Sequence, residues 1–164
     1  MSQIKEIYLK DYKKPEFDVK SIDLTFELEE EYTIVTNVMQ IKAQTTTSTL
    51  KLDSIDLELL EIYLDEEVVE SSRYSYKDEI LSISDVPSEF ALKIKNKIYP
   101  HKNTELEGLY KSGSIFCTQN EPEGFRRITP YIDRPDVMAV FTTTVIADKE
   151  RYPVLLSNGN KAQC

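Results

Sequence analysis

Apolar and polar residues alternate along much of this chain with a period of two. Ile22, Leu24, Phe26 and Leu28 are separated by Asp23, Thr25 and Glu27. An extended backbone sends the first set to one face and the second to the other, which predicts a half-buried β-strand. Glu29-Glu30-Glu31 interrupts as a charged turn, and Tyr32 to Ala43, rich in Thr, Ile and Val, reads as the hairpin partner. Leu50 and Leu52 alternate next, followed by Ile55, Leu57 and Leu59. Ile62 and Leu64 then lead to the acidic turn Asp65-Glu66-Glu67, with Val68 and Val69 beyond it. Ile80, Leu81 and Ile83 form a short apolar run, and Phe90, Leu92 and Ile94 alternate with Ala91, Lys93 and Lys95. Late in the chain Phe141, Thr143 and Val145 alternate with Val140, Thr142, Thr144 and Ile146.

Two stretches stay open. Thr45-Thr46-Thr47-Ser48-Thr49 fits a loop or an edge strand, and Leu57 to Leu64 also fits one or two amphipathic helical turns. A short helix is predicted around Pro122 to Arg127, because Pro is tolerated in a first helical turn and acidic residues favour that end. Many short strands with few helical candidates predict an all-β fold, a sandwich or curved sheet with at most one or two short helices.

The 164 residues suit one domain with a real core, and 40% hydrophobic with 30% charged residues fits a globular chain. A formal net charge of −9 repels phosphate backbones and anionic lipids, so nucleic acid and membrane are poor partners. No apolar run approaches bilayer length. No basic stretch precedes an apolar one at the start, and two cysteines, Cys117 and Cys164, make no disulfide framework, so a cytoplasmic location is expected.

Candidate chemistry is sparse. His101 is the single histidine, so the chain cannot supply the two imidazoles of an H-E-x-x-H zinc helix, nor a His2Glu catalytic site. There is no nucleophile elbow to make His101 part of a triad, and a loop position is the plainer reading. Cys117, Cys164 and His101 match no compact zinc module; Cys117 is expected to pack as a small apolar residue at a strand end. The four glycines, at 108, 113, 124 and 159, make no phosphate loop. One stretch breaks the pattern. A β-like run, Ser114-Ile115-Phe116-Cys117-Thr118, meets Gln119-Asn120-Glu121-Pro122, then Arg126-Arg127. On residue type alone Glu121 reads as a solvated surface carboxylate.

Thr118-Gln119-Asn120-Glu121, Arg126-Arg127 and Asp133-Arg134-Pro135-Asp136 together resemble the substrate-side motif of bacterial aminopeptidase N enzymes, in the thermolysin-like zinc peptidase group. Leu106-Glu107-Gly108-Leu109-Tyr110, Phe141-Thr142-Thr143-Thr144 and Leu155-Leu156-Ser157-Asn158-Gly159-Asn160 extend the likeness, which is tight from about Asn103 to Asn160 and looser from Ile7 to Ile98. The resemblance implies a saddle-like antiparallel β-structure, with residues 1–164 as the amino-terminal domain, stopping before its last strands. It implies that Gln119 and Glu121 reach the active site of a neighbouring catalytic domain and hold the free α-ammonium group of a peptide. A carboxylate suits that task because charge-assisted hydrogen bonds are the strong ones, and fixing the amine limits cleavage to the first peptide bond. Zinc is implied for the full-length enzyme and none for this chain, which lacks G-A-M-E-N, H-E-x-x-H and any metal ligand set. The chain alone is then expected to be inactive, its partners being peptide N-termini and the absent catalytic domain. A sister branch with epoxide hydrolase activity departs from the motif at the glutamate that Glu121 retains. Arg126, Arg127, Asp133, Arg134 and Asp136 are expected mainly as structural ion pairs, and Tyr110 and Phe116 as core or interface aromatics. The competing reading is a stand-alone β-sandwich interaction module, which would be polar on all sides.

Overall fold

The computed structural model describes residues 8–161. Eleven strands run in chain order as β1 (Phe17–Leu28), β2 (Thr33–Ala43), β3 (Leu50–Asp53), β4 (Glu58–Leu64), β5 (Glu67–Val68), β6 (Tyr74–Lys77), β7 (Ile80–Ile83), β8 (Glu89–Ile98), β9 (Gly108–Ser112), β10 (Ile115–Gln119) and β11 (Val140–Ala147). They form a six-stranded sheet, β11-β1-β2-β8-β4-β5, a three-stranded sheet, β3-β7-β6, and the β9-β10 hairpin. The fold is all-β, as the alternation predicts.

The period-two pattern sets the core. Ile22, Leu24 and Phe26 on β1, Val35, Met39 and Ile41 on β2, and Phe90, Leu92, Ile94 and Ile98 on β8 all point inward and are buried. They share one core with Leu50 and Leu52 of β3 and Leu81 and Ile83 of β7. Burying each such side chain contributes roughly 1.5–3 kcal/mol. The opposite face of the large sheet is half-exposed and carries Lys93, Lys95 and Lys97, with Lys93 over the Tyr63 ring and Lys97 over Tyr32 and Tyr99.

Two tight hairpins turn on acidic pairs in the left-handed region: Asp65 (φ 48°) and Glu66 (φ 71°) join β4 to β5, and Asp78 (φ 51°) and Glu79 (φ 63°) join β6 to β7. Two successive positive φ values match the right-handed twist of the flanking strands.

The structure differs from the sequence expectations in four places. Leu57 to Leu64 is not helical. The pairing of β4 with β8 shifts register between Leu59 and Glu61, and this bulge accommodates the Leu59-Leu60 doublet that imitates helical spacing. Among the described residues the helical content is four three-residue 3-10 turns, at Leu9–Asp11, Ser71–Arg73, Pro100–Lys102 and Phe125–Arg127, where at most one or two short helices are expected. The large sheet is not purely antiparallel, because β11 pairs with β1 in parallel. Finally, β6 carries mostly exposed residues, so no alternation announced it. The threonine-rich stretch resolves as a loop, in which Thr45 and Thr47 hydroxyls accept the backbone N–H groups of Thr47 and Thr49.

Candidate functional site

The Gln119-Asn120-Glu121 stretch lies where β10 leaves its hairpin. Gln119 ends β10, paired with Gly108 at the start of β9. Asn120 opens a turn closed by the Gly124 N–H donating to the Asn120 carbonyl at 2.9 Å, and the Glu121-Pro122 peptide within it is cis. The 3-10 turn Phe125–Arg127 follows directly, so the predicted helix shrinks to three residues and excludes Pro122.

Two glycines allow this arrangement. A Cβ on Gly124 would lie 2.5 Å from the Gln119 carbonyl oxygen and 3.0 Å from the Gly108 nitrogen. Gly108 has φ +70°, and a Cβ there would meet the Arg127 Cβ at 2.8 Å. The start of β9, the end of β10 and the following turn therefore meet backbone to backbone, which only glycine permits.

Behind the loop stands an ion-pair frame. Asp133, only 7% exposed, accepts from both the backbone N–H (3.0 Å) and the Nε (2.9 Å) of Arg126, whose Nη2 donates to the Asp133 carbonyl at 2.9 Å. Arg126 also reaches Glu123 at 3.2 Å and lies 3.9 Å from Asp53. Asp53 in turn accepts the Asp133 N–H at 3.1 Å and exchanges backbone hydrogen bonds with Tyr131. Burial pulls the Arg126 pKa down, but the Asp133 hydrogen bond and the surrounding carboxylates outweigh it and leave the guanidinium above its ordinary value. Arg127 pairs with Asp56 and Glu107. Arg134 forks onto Asp136 at 2.9 and 2.7 Å and donates to the Lys13 carbonyl. All five charged residues singled out in the sequence thus form structural pairs. Their partners Asp53, Asp56, Glu107 and Glu123 carry no signal in the sequence, three of them lying far along the chain.

Beneath this frame, two buried asparagines of the large sheet hold the segment after Arg127. Asn96 Nδ2 donates to the Ile128 carbonyl at 2.9 Å, and Asn37 Nδ2 to Thr129 Oγ1 at 3.4 Å. Phe125 packs edge-on against Tyr131 at 5.0 Å. Burial, then the charges of Asp133 and Asp18, push the Tyr131 hydroxyl up to about 12, so it stays a neutral donor to the Val137 carbonyl.

On this rigid base Gln119 and Glu121 are both exposed. Gln119 Nε2 donates to the Glu121 backbone carbonyl at 3.2 Å, which ties the two positions together. Among the described residues the Glu121 carboxylate has no ion pair or hydrogen bond, while Glu123 two positions on is bound to Arg126. His101 is exposed in its 3-10 turn with its ring edge-on to Tyr99 at 6.4 Å. Cys117 sits half-buried in the middle of β10, not at a strand end, as a free thiol; Cys164 lies outside the described residues. Phe116 is half-buried against the core and packs on Tyr152 at 5.3 Å, and Tyr110 is half-buried on β9. No group of three or more His, Cys, Asp or Glu among the described residues is placed to hold a metal ion. Nor is any helix among them long and apolar enough to cross a membrane.

Known proteins share this sequence and this fold. The family profile described as the peptidase M1 N-terminal domain matches residues 11–164. The chain is 47% identical over 155 residues to aminopeptidase N of Escherichia coli strain K12, and 40% identical over 156 residues to aminopeptidase N of Haemophilus influenzae, each match covering 94% of this chain. It spans only 18% of the length of those relatives. Its structure superposes with a TM-score of 0.86, at 29% identity, on the aminopeptidase A of Legionella pneumophila solved with aspartic acid, covering 92% of this chain and 18% of that one. An M1 zinc metallopeptidase from Deinococcus radiodurans shares the fold, with a TM-score of 0.68 at 17% identity over 80% of this chain and 32% of that one.

Proposed function

The chain belongs to the peptidase M1 N-terminal domain family, and from that membership we propose that it is the amino-terminal β-domain of a zinc-dependent aminopeptidase, in which Gln119 and Glu121 hold the free α-amine of a peptide. The observation that carries this reading is the contrast among the carboxylates around Arg126 and Arg127. Glu123, Asp133, Asp53 and Asp56 are each neutralised by an arginine, and Glu121 alone of that set is left exposed and unpaired among the described residues. A carboxylate on a braced loop, with its lone pairs free, is suited to accept charge-assisted hydrogen bonds from an ammonium group. Gln119, fixed beside it through the Glu121 carbonyl, offers an amide oxygen to the same substrate end.

Zinc does not fit the described residues of this chain. Its single imidazole is exposed and stands against Tyr99. In this reading the metal and the hydrolytic groups belong to the remaining part of the full-length protein, and the chain contributes positioning alone. A cytoplasmic location goes with the reading, since two cysteines make no disulfide framework.

Kinetics of the full-length protein test the assignment. Glu121→Ala should lower kcat/KM for amino-acid amides by about 10–100-fold, the equivalent of losing roughly 1.5–3 kcal/mol of charged hydrogen bonding. Near-wild-type kinetics would remove Glu121 from the substrate site. Metal analysis of the 164-residue chain should give far less than one zinc per molecule.

A further inference from the structure

The alternation that builds the large sheet is broken at one place on its core face. The inward positions of β2 are Thr33, Val35, Asn37, Met39 and Ile41, and those of β8 are Phe90, Leu92, Ile94, Asn96 and Ile98. Thr33, Asn37 and Asn96 are 0% exposed, in rows that are otherwise apolar. Val35 stands opposite Asn96, so Thr33 and Asn37 are the diagonal neighbours of Asn96 across the ladder. The three make one polar cluster. It is incompletely satisfied, because Thr33 Oγ1, Asn37 Oδ1 and Asn96 Oδ1 find no hydrogen-bond partner in the protein. Burying such groups costs stability that apolar side chains of the same shape would not. A local rule broken at a cost inside a regular sheet points to a task beyond packing.

That task is visible on the far side of Asn96. Its Nδ2 donates to the Ile128 carbonyl at 2.9 Å. Ile128 closes the 3-10 turn Phe125–Arg127, its N–H donating to the Phe125 carbonyl at 2.9 Å. The same turn holds the loop before it: the Arg127 N–H donates to the Gly124 carbonyl at 3.1 Å, and the Gly124 N–H to the Asn120 carbonyl at 2.9 Å. Asn120 lies between Gln119 and Glu121. A continuous run of main-chain hydrogen bonds therefore joins the buried Asn96 amide to the exposed loop. Asn37 adds a longer contact one residue on, 3.4 Å to Thr129 Oγ1. The ion pairs of Arg126 and Arg127 all reach carboxylates outside the large sheet, so among the described residues the two asparagines make the polar tie between that sheet and the turn.

We infer that Asn96, seconded by Asn37, is a positioning residue for the substrate amine: it fixes the turn from which Gln119 and Glu121 are presented. This rests on the reading of those two residues as the amine site. Asn96→Leu would keep the core filled and apolar, but it would release the Ile128 carbonyl and let the turn shift. A carboxylate moved from its place makes poorer charge-assisted hydrogen bonds to an ammonium group.

A double-mutant cycle in the full-length protein tests this, read as KM for amino-acid amides, which does not depend on the fraction of enzyme that is folded. Asn96→Leu should raise KM by about 5–10-fold with kcat within about twofold, the mark of lost binding. In the Glu121→Ala background the same substitution should change KM by less than about twofold, because most of what Asn96 positions is gone. Equal rises in both backgrounds overturn the proposal, as does an unchanged KM in Asn96→Leu alone. Should Asn96→Leu fail to fold, Asn96→Ser runs the same cycle with the same outcomes, its hydroxyl ending one bond short of the amide nitrogen that reaches Ile128. Failure of the site reading is a different result: near-wild-type kinetics in Glu121→Ala by itself, before Asn96 is changed.

Discussion

Glu121 and Glu123 sit two residues apart in one turn and differ chiefly in company, because only Glu123 has an arginine within reach. The arginine is shared. Arg126 is anchored mainly by Asp133, whose carboxylate is nearly buried and accepts two of its N–H groups. Removing one member of a buried pair leaves the other uncompensated. Asp133→Ala should therefore destabilise the chain by about 3 kcal/mol in urea unfolding, with Asp53 and Glu123 limiting the loss. Asp136 makes a pH prediction. The hydrogen bond from Arg134, with a second from Tyr12, holds its carboxyl below the ordinary 3.8. A carboxyl depressed on folding contributes stability that is fully present above its unfolded value and is lost as pH falls through its folded one. The stability difference between wild type and Asp136→Asn should be constant above about pH 4 and close below it, read as urea midpoints across an acid titration.

At the scale of elements, the loop depends on the β9-β10 hairpin and the two glycines that let it close. Gly124→Ala would force a Cβ onto the Gln119 carbonyl. The expected cost is about 1–3 kcal/mol of overpacking, together with a raised KM in the full-length protein as Gln119 and Glu121 move. A change in stability with KM unaltered would separate the glycine from the site. The glycines also show where sequence reading stops. Spaced sixteen apart in the chain, Gly108 and Gly124 make no local motif, and their meeting is visible only once β9 and β10 pair. The strands of the large sheet were legible because a half-buried strand prints its two faces as alternation, as in Ile22 to Leu28. β6 was not, because an exposed edge strand has no buried face to print. The parallel pairing of β11 with β1 was equally hidden, since alternation reports which face is buried and not which neighbour lies alongside. Arg126 and Asp133 were readable as ion-pair candidates, but Asp53, eighty residues from Asp133, was not.

Across the whole molecule, distant segments are drawn together by few groups. Glu30, in the turn between β1 and β2, accepts from Lys111 on β9 at 3.2 Å and from the Tyr152 hydroxyl at 3.2 Å, and meets Arg151 at 2.9 Å. The Lys111 hydrogen bond, then that of Tyr152, lowers its pKa from the ordinary 4.5. By the same sign rule its tie persists above that value and is released as pH falls through the lowered one. Glu30→Gln should weaken the contact between the Phe116 and Tyr152 rings at neutral pH, seen as lost NMR cross-peaks, and acidification below about pH 4 should do the same to the wild type. The parallel seam between β1 and β11 has a consequence of another kind, in the order of synthesis. Leu28 and Ala147 are neighbours in the sheet, yet the ribosome makes them roughly 120 residues apart, a delay of roughly 6–24 s at about 5–20 residues per second. For that interval β1 leaves the ribosome with β2 on one side and nothing on the other. The first strand therefore waits with one edge unpaired while roughly 120 further residues are made.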